Sequence, residues 1–66
     1  MAARTRYLTT KEVAARFRAA ESTVRYWRLT GFGPKGIKVG RRVLYPEDAV
    51  DAWEAEQIAN EEKRAA

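Results

Sequence analysis

Residues 9–34, TTKEVAARFRAAESTVRYWRLTGFGP, carry two helical patterns with only a few residues between them. The first opens on a dense start signal. Thr9 suits an N-cap, whose side-chain oxygen satisfies an orphan backbone N–H of the first turn. Glu12, three residues on, can reach back to the Thr9 N–H and complete a capping box. Leu8 before the cap and Val13 beyond it can pack as a hydrophobic staple. Val13, Ala14 and Phe17 share one face, which predicts a helix over about Thr10 to Arg18. The break falls around Ala19–Ala20. The second pattern, Glu21 to Leu29, points Val24 and Trp27 inward at i, i+3, while Ser22, Arg25 and Arg28 recur at threes on another face. Glu21 suits the positive end of the helix dipole and Arg28 the negative end. Gly31 is a left-handed stop, and Gly33-Pro34 forbids continuation. Two short helices joined by a tight turn, the second with an exposed basic face, make a helix-turn-helix.

Downstream the period changes to two. Ile37, Val39, Val43 and Tyr45 are bulky and β-prone, and Gly40 sits midway, so a two-stranded hairpin is expected with Gly40-Arg41 or Gly40-Arg41-Arg42 as its loop. An isolated hairpin is barely stable in water, so this one must lean on the helices. Pro46 at the first helical position, with Glu47 and Asp48 beside it, opens a third helix with Val50 and Trp53 on its apolar stripe. Past Ala55 the stripe fades into Glu, Asn and Lys. The expected organisation is a flexible basic arm over residues 1–6, one folded domain over 7–58, and a fraying acidic helical tail over 59–66. The fold class is mainly α with a small two-stranded hairpin, a winged helix-turn-helix.

Composition narrows what such a domain can do. A chain of 66 residues buries only about 60% of its unfolded surface. With no Cys and no His, disulfides, thiol nucleophiles, His or Cys metal sites and acyl-transfer triads cannot be built. An all-carboxylate or Ser–Lys site stays formally open, with little room for a substrate pocket. We expect no enzyme activity, no metal and no cofactor. No apolar run approaches the roughly 20 residues that span a bilayer, and none follows the basic N-terminus as in a signal peptide, so a cytoplasmic protein is the default. The charge is sorted. Up to Tyr45 there are 11 Lys/Arg against Glu12 and Glu21; from Pro46 onward, Lys63 and Arg64 face seven Asp/Glu. A basic body with an acidic C-terminal segment points to a polyanionic partner, because each phosphate neutralised releases condensed counterions.

A major groove admits an α-helix whose N-terminal half reaches base edges. Ser22, Arg25 and Tyr26 are the candidates for base contact: Arg25 can bind a guanine bidentately, and Ser22 can donate to or accept from several bases. Thr23 and Arg28 are placed for phosphates, with Thr10 and Lys11 at the start of the first helix for further backbone contact. The plainer reading of Arg25 and Arg28 is a solvated amphipathic face. Lys38, Arg41 and Arg42 crowd the hairpin, and a ribbon tipped by Arg41-Arg42 can lay a guanidinium into a narrow minor groove. Such charges also keep a short ribbon from pairing edge to edge. Trp27 and Trp53 sit on apolar stripes and are expected to dominate the core. Tyr26 lies off its stripe and can face DNA, and Tyr45 is expected to close the hairpin against the third helix. Phe32 is either core or a partner contact. The acidic residues Glu47, Asp48, Asp51, Glu54 and Glu56 form either a solvated face or a docking surface for a basic partner.

Tyr7-Leu8-Thr9 with Glu12, Thr23-Val24-Arg25 with Trp27, and Lys38…Gly40-Arg41 together resemble the excisionases of temperate phages and integrative elements, also called recombination directionality factors. The order of pieces also resembles the DNA-binding headpiece of MerR-type regulators, through Thr23-Val24-Arg25-Tyr26 and Arg42-Val43-Leu44-Tyr45-Pro46-Glu47-Asp48. The resemblance spans Tyr7 to Trp53. MerR-type proteins continue into a long dimerisation helix and an effector region, whereas 13 residues follow Trp53 here, which points to the smaller class. The resemblance implies a non-catalytic architectural protein of a bacterial host that binds and bends attachment-site DNA, cooperatively on repeated sites, and steers an integrase towards excision. By position, Ser22, Arg25 and Tyr26 would read the major groove, Thr23 and Arg28 would grip backbone, and Arg41 or Arg42 would enter the minor groove. Some excisionases carry a charged residue where Ser22 and Tyr26 stand, so the preferred sequence here should differ. The expected partners are double-stranded DNA, an integrase and neighbouring copies, with no membrane and no small-molecule effector. Two other readings stand beside it: a small winged-helix transcriptional regulator of the same superfamily, and a protein-interaction module whose basic face docks an acidic partner.

Overall fold

The computed structural model describes residues 5–65. In chain order the elements are β1 (Tyr7–Thr9), α1 (Thr10–Arg16), α2 (Glu21–Thr30), β2 (Ile37–Val39), β3 (Arg42–Pro46) and α3 (Glu47–Ala65). The fold is mainly helical with a small antiparallel sheet, a winged helix-turn-helix.

The sheet has three strands in the order β1-β3-β2, one more than the hairpin expected from the sequence. The added strand lies just before the first helix. Leu8 faces Tyr45, and Tyr7 faces Pro46. Leu8 turns inward and is buried while Tyr7 is half exposed, the period-two alternation of a strand with one wet face. Pro46 is therefore the last residue of β3 and not the first of the helix. It has no N–H to donate, and the next residue, Glu47, donates instead to the Arg6 carbonyl at 2.7 Å, tying the start of α3 to the residue before β1. The expected arm falls partly on residues 1–4, which lie outside the described residues.

The start of α1 and the ends of α1 and α2 follow from local chemistry, whereas α2 has Ala20 at its N-cap and no side-chain cap. At α1 the capping box is formed: Glu12 N–H donates to Thr9 Oγ1 at 3.1 Å, and Thr9 N–H to Glu12 Oε1 at 2.8 Å. The helix ends at Arg16, two residues earlier than its periodicity predicts, because Arg18 takes a left-handed φ of 56°. Ala19 N–H then bonds the Ala14 carbonyl at 2.8 Å, and Arg18 N–H the Ala15 carbonyl at 3.2 Å. That pair of reverse bonds is a Schellman motif, which turns the chain sharply into α2. α2 ends likewise at a left-handed Gly31. Phe32 N–H donates to the Trp27 carbonyl at 2.9 Å, which brings the Phe32 ring against Trp27.

The apolar core is Leu8, Val13, Ala14, Val24, Tyr45 and Val50, one or two residues from almost every element. Tyr45, from the central strand, is its largest member, and it sits in the core instead of merely closing the wing. Gly36 is needed beside it, since a Cβ there would lie 2.8 Å from the Tyr45 ring. Trp27 and Trp53 do not dominate this core. They are only partly buried and form a second cluster with Phe17 and Phe32, in which Trp27 and Trp53 are 5.4 Å apart and Phe17 meets Trp53 edge-on at 5.1 Å. Indole rings are too large for the space between such short elements, so they cover one side of the core instead of filling it.

Candidate nucleic-acid interface

α2 has its apolar side turned to the rest of the molecule. Val24 is buried and Trp27 packs on Trp53 of α3, so α3 lies behind α2. Ser22, Thr23, Arg25, Tyr26 and Arg28 are all exposed, Tyr26 by 63%. Thr23 and Arg28 flank the outward ridge on opposite sides, as helical spacing requires.

Three segments far apart in sequence converge beside the start of α2. Thr9, Thr10 and Lys11 from the α1 start, Glu21 from the α2 start, and Arg42, Val43 and Leu44 from β3 line one open groove. The convergence follows from the sheet, since Thr9 of β1 pairs with Leu44 of β3, so the first turn of α1 must lie against the base of the hairpin. β2 and β3 project from there as a wing. Val39 pairs with Arg42, leaving Gly40-Arg41 as a two-residue loop, the shorter of the two loops compatible with the sequence. Gly40 has φ 62°, as the first central residue of a tight hairpin turn demands. Lys38, Arg41 and Arg42 are exposed along this ribbon. Arg28 lies apart from the groove, lining a different hollow with Phe32 and Lys35.

Among the described residues, the ion pair found at this surface joins Arg25 to Glu21 at 3.6 Å, one helical turn apart. The i, i+4 spacing of the two was visible in the sequence, but their pairing was not anticipated. Lys11, Lys38, Arg41 and Arg42 make no ion pair among the described residues, so their charge is presented to solvent. Apart from Glu12 and Glu21, the acidic residues lie on α3. Arg16 at the end of α1 donates to both Asp51 and Glu54 of α3 at 2.7 Å, and the hydrogen bonds, that to Glu54 first, hold its pKa above the ordinary value. Part of the acidic face is thus engaged within the molecule.

The capped start of α1, the start of α2, which has no side-chain cap, and the basic ribbon thus share one surface. The family profile described as "Helix-turn-helix domain" matches residues 7–58. The chain belongs to this helix-turn-helix domain family. The family includes excisionase-like DNA-binding proteins, and DNA binding is what the domain implies. No curated protein matches the chain. Among the described residues of this helix-turn-helix protein, no helix is long and apolar enough to cross a membrane.

Proposed function

We propose that this protein is an excisionase, a recombination directionality factor that binds and bends attachment-site DNA and directs an integrase towards excision. The observation that carries the DNA-binding surface is the groove joining the α1 start, the α2 start and the wing, whose Lys11 and Arg42 make no ion pair among the described residues. The excisionase role rests in addition on the resemblance of Tyr7-Leu8-Thr9 with Glu12, Thr23-Val24-Arg25 with Trp27, and the Lys38…Gly40-Arg41 hairpin. α2 enters the major groove, where Ser22, Arg25 and Tyr26 meet base edges. Thr23 and Arg28 take phosphates on either side of the helix, and Thr10 and Lys11 take one at the start of α1. The wing lays Arg41 or Arg42 into the adjacent minor groove, with Lys38 on the backbone beside it. No covalent step is involved. Energy comes from counterion release and from contacts that a bent duplex extends. Neighbouring copies on repeated sites then present a shaped complex to integrase.

The test is a gel-shift titration on attachment-site DNA of the host element against a scrambled duplex of equal length, at two salt concentrations. Stepwise cooperative complexes with anomalous mobility from bending are expected. A single complex on promoter-like DNA would instead identify a transcriptional regulator. The absence of any salt-sensitive shift would mean that the basic face meets a protein.

A further inference from the structure

The outward ridge of α2 runs further than the polar residues that mark it. Ser22, Arg25, Tyr26 and Leu29 stand at i, i+3, i+4 and i+7, so all four lie on one stripe. Leu29 is 85% exposed and Tyr26 63%, the two highest values among the exposed large apolar side chains described. A single exposed leucine on a protein surface is ordinary. This one is not single. It extends a ridge whose other members are the proposed base readers, on the side of the helix opposite Val24 and Trp27. Arg25 meanwhile leans to the flank, where Glu21 holds it at 3.6 Å. The crest left between them is aromatic and aliphatic.

One base edge in the major groove offers an apolar surface, the C5-methyl of thymine. We infer that Leu29 is a specificity-determining residue that packs on a thymine methyl next to the base pair read by Arg25. This rests on the proposed entry of α2 into the major groove. It adds a second chemistry to that recognition, because Arg25 selects by hydrogen bonds and Leu29 by removing two apolar surfaces from water.

The experiment begins with selection of bound duplexes from a randomised pool by the full chain. The selected duplex is then remade with deoxyuridine in place of each thymine in turn, which deletes only the methyl. At one thymine the wild type should lose about fourfold in affinity, the worth of one buried methyl-sized group. Leu29→Ala should bind the thymine and deoxyuridine duplexes equally at that position. Because Leu29 is so exposed, the variant should keep the wild-type circular dichroism melt. If a motif is selected but no deoxyuridine weakens binding, or if Leu29→Ala keeps the same discrimination as wild type, the inference falls while the DNA reading stands. If selection enriches no motif, sequence-specific groove reading fails, and the inference with it.

Discussion

Arg18 holds the turn between α1 and α2 in a conformation that glycine adopts more readily. Its φ of 56° is the only positive value at a non-glycine among the described residues, and the two reverse hydrogen bonds of the helix end depend on it. A left-handed L-residue costs about 1–2 kcal/mol, of which a glycine returns part through its larger unfolded-state entropy. Arg18→Gly should therefore stabilise the domain by about 0.5–1 kcal/mol, read as a higher urea midpoint by far-UV circular dichroism. A midpoint unchanged or lowered would show that the Arg18 side chain contributes contacts that offset the strain. The sequence placed the break at Ala19–Ala20 but carried α1 on to Arg18, since an arginine there gives no stop signal and the apolar spacing runs on through Phe17. Phe32 is the opposite case. Glycine followed by an apolar residue after a helix is the signature of a Schellman end, and with Trp27 five residues upstream it would have put Phe32 against the indole.

The wing and α2 make different kinds of contact with a duplex, so their substitutions should fail differently. Arg42 follows the wing's turn and lines the groove with Lys11, and its charge serves any sequence equally. Arg42→Ala should weaken binding to cognate and scrambled duplexes alike and lower the slope of log affinity against log salt by about 1. Arg25→Ala should cost about 1–3 kcal/mol on the selected duplex, mainly by relaxing preference at one base position. Fluorescence anisotropy on both duplexes at several salt concentrations separates the two patterns; equal losses for Arg25→Ala on every sequence would remove its base-reading role. The elements themselves were legible where the signal is local: the capping box at Thr9, the Val24/Trp27 stripe and the glycine of the wing turn. β1 was not, because Tyr7-Leu8-Thr9 is too short to show a period and becomes a strand only by pairing with β3, some 35 residues on in sequence and beyond any local window. Pro46 was misplaced for the same reason, since what makes it a strand residue is Tyr7 opposite it. The polar candidates of α2 emerged correctly as exposed, because helical period alone sorts in from out. Leu29 escaped notice because its apolar character hid its place on the outer ridge.

At the scale of the whole molecule, charge and apolar surface are divided between two sides of α2. The groove and wing carry Lys11, Lys38, Arg41 and Arg42, none in an ion pair among the described residues, while α3, behind, holds every acidic residue but Glu12 and Glu21 and closes the aromatic cluster. Arg16 bridges the two regions, but its bonds to Asp51 and Glu54 are solvent-accessible and worth no more than about 1 kcal/mol. The joint that holds the recognition helix on its support is therefore Trp27, which meets Phe17 of the first turn, Phe32 of the loop and Trp53 of α3. Removing it should cost about 3–5 kcal/mol, against a total that for a chain of this length is roughly 3–10 kcal/mol. Trp27→Ala should then lose much of its stability and melt at a far lower urea concentration, although Trp27 touches no part of the outward ridge. A duplex at a hundred times its Kd adds about 2.7 kcal/mol to the folded state, less than the loss, so saturating DNA should restore the urea midpoint only in part. Far-UV circular dichroism with and without selected duplex reads both effects. A Trp27→Ala chain that keeps the wild-type urea midpoint and binds as wild type would show that the apolar core of Leu8, Val13, Val24, Tyr45 and Val50 positions α2 without the aromatic face.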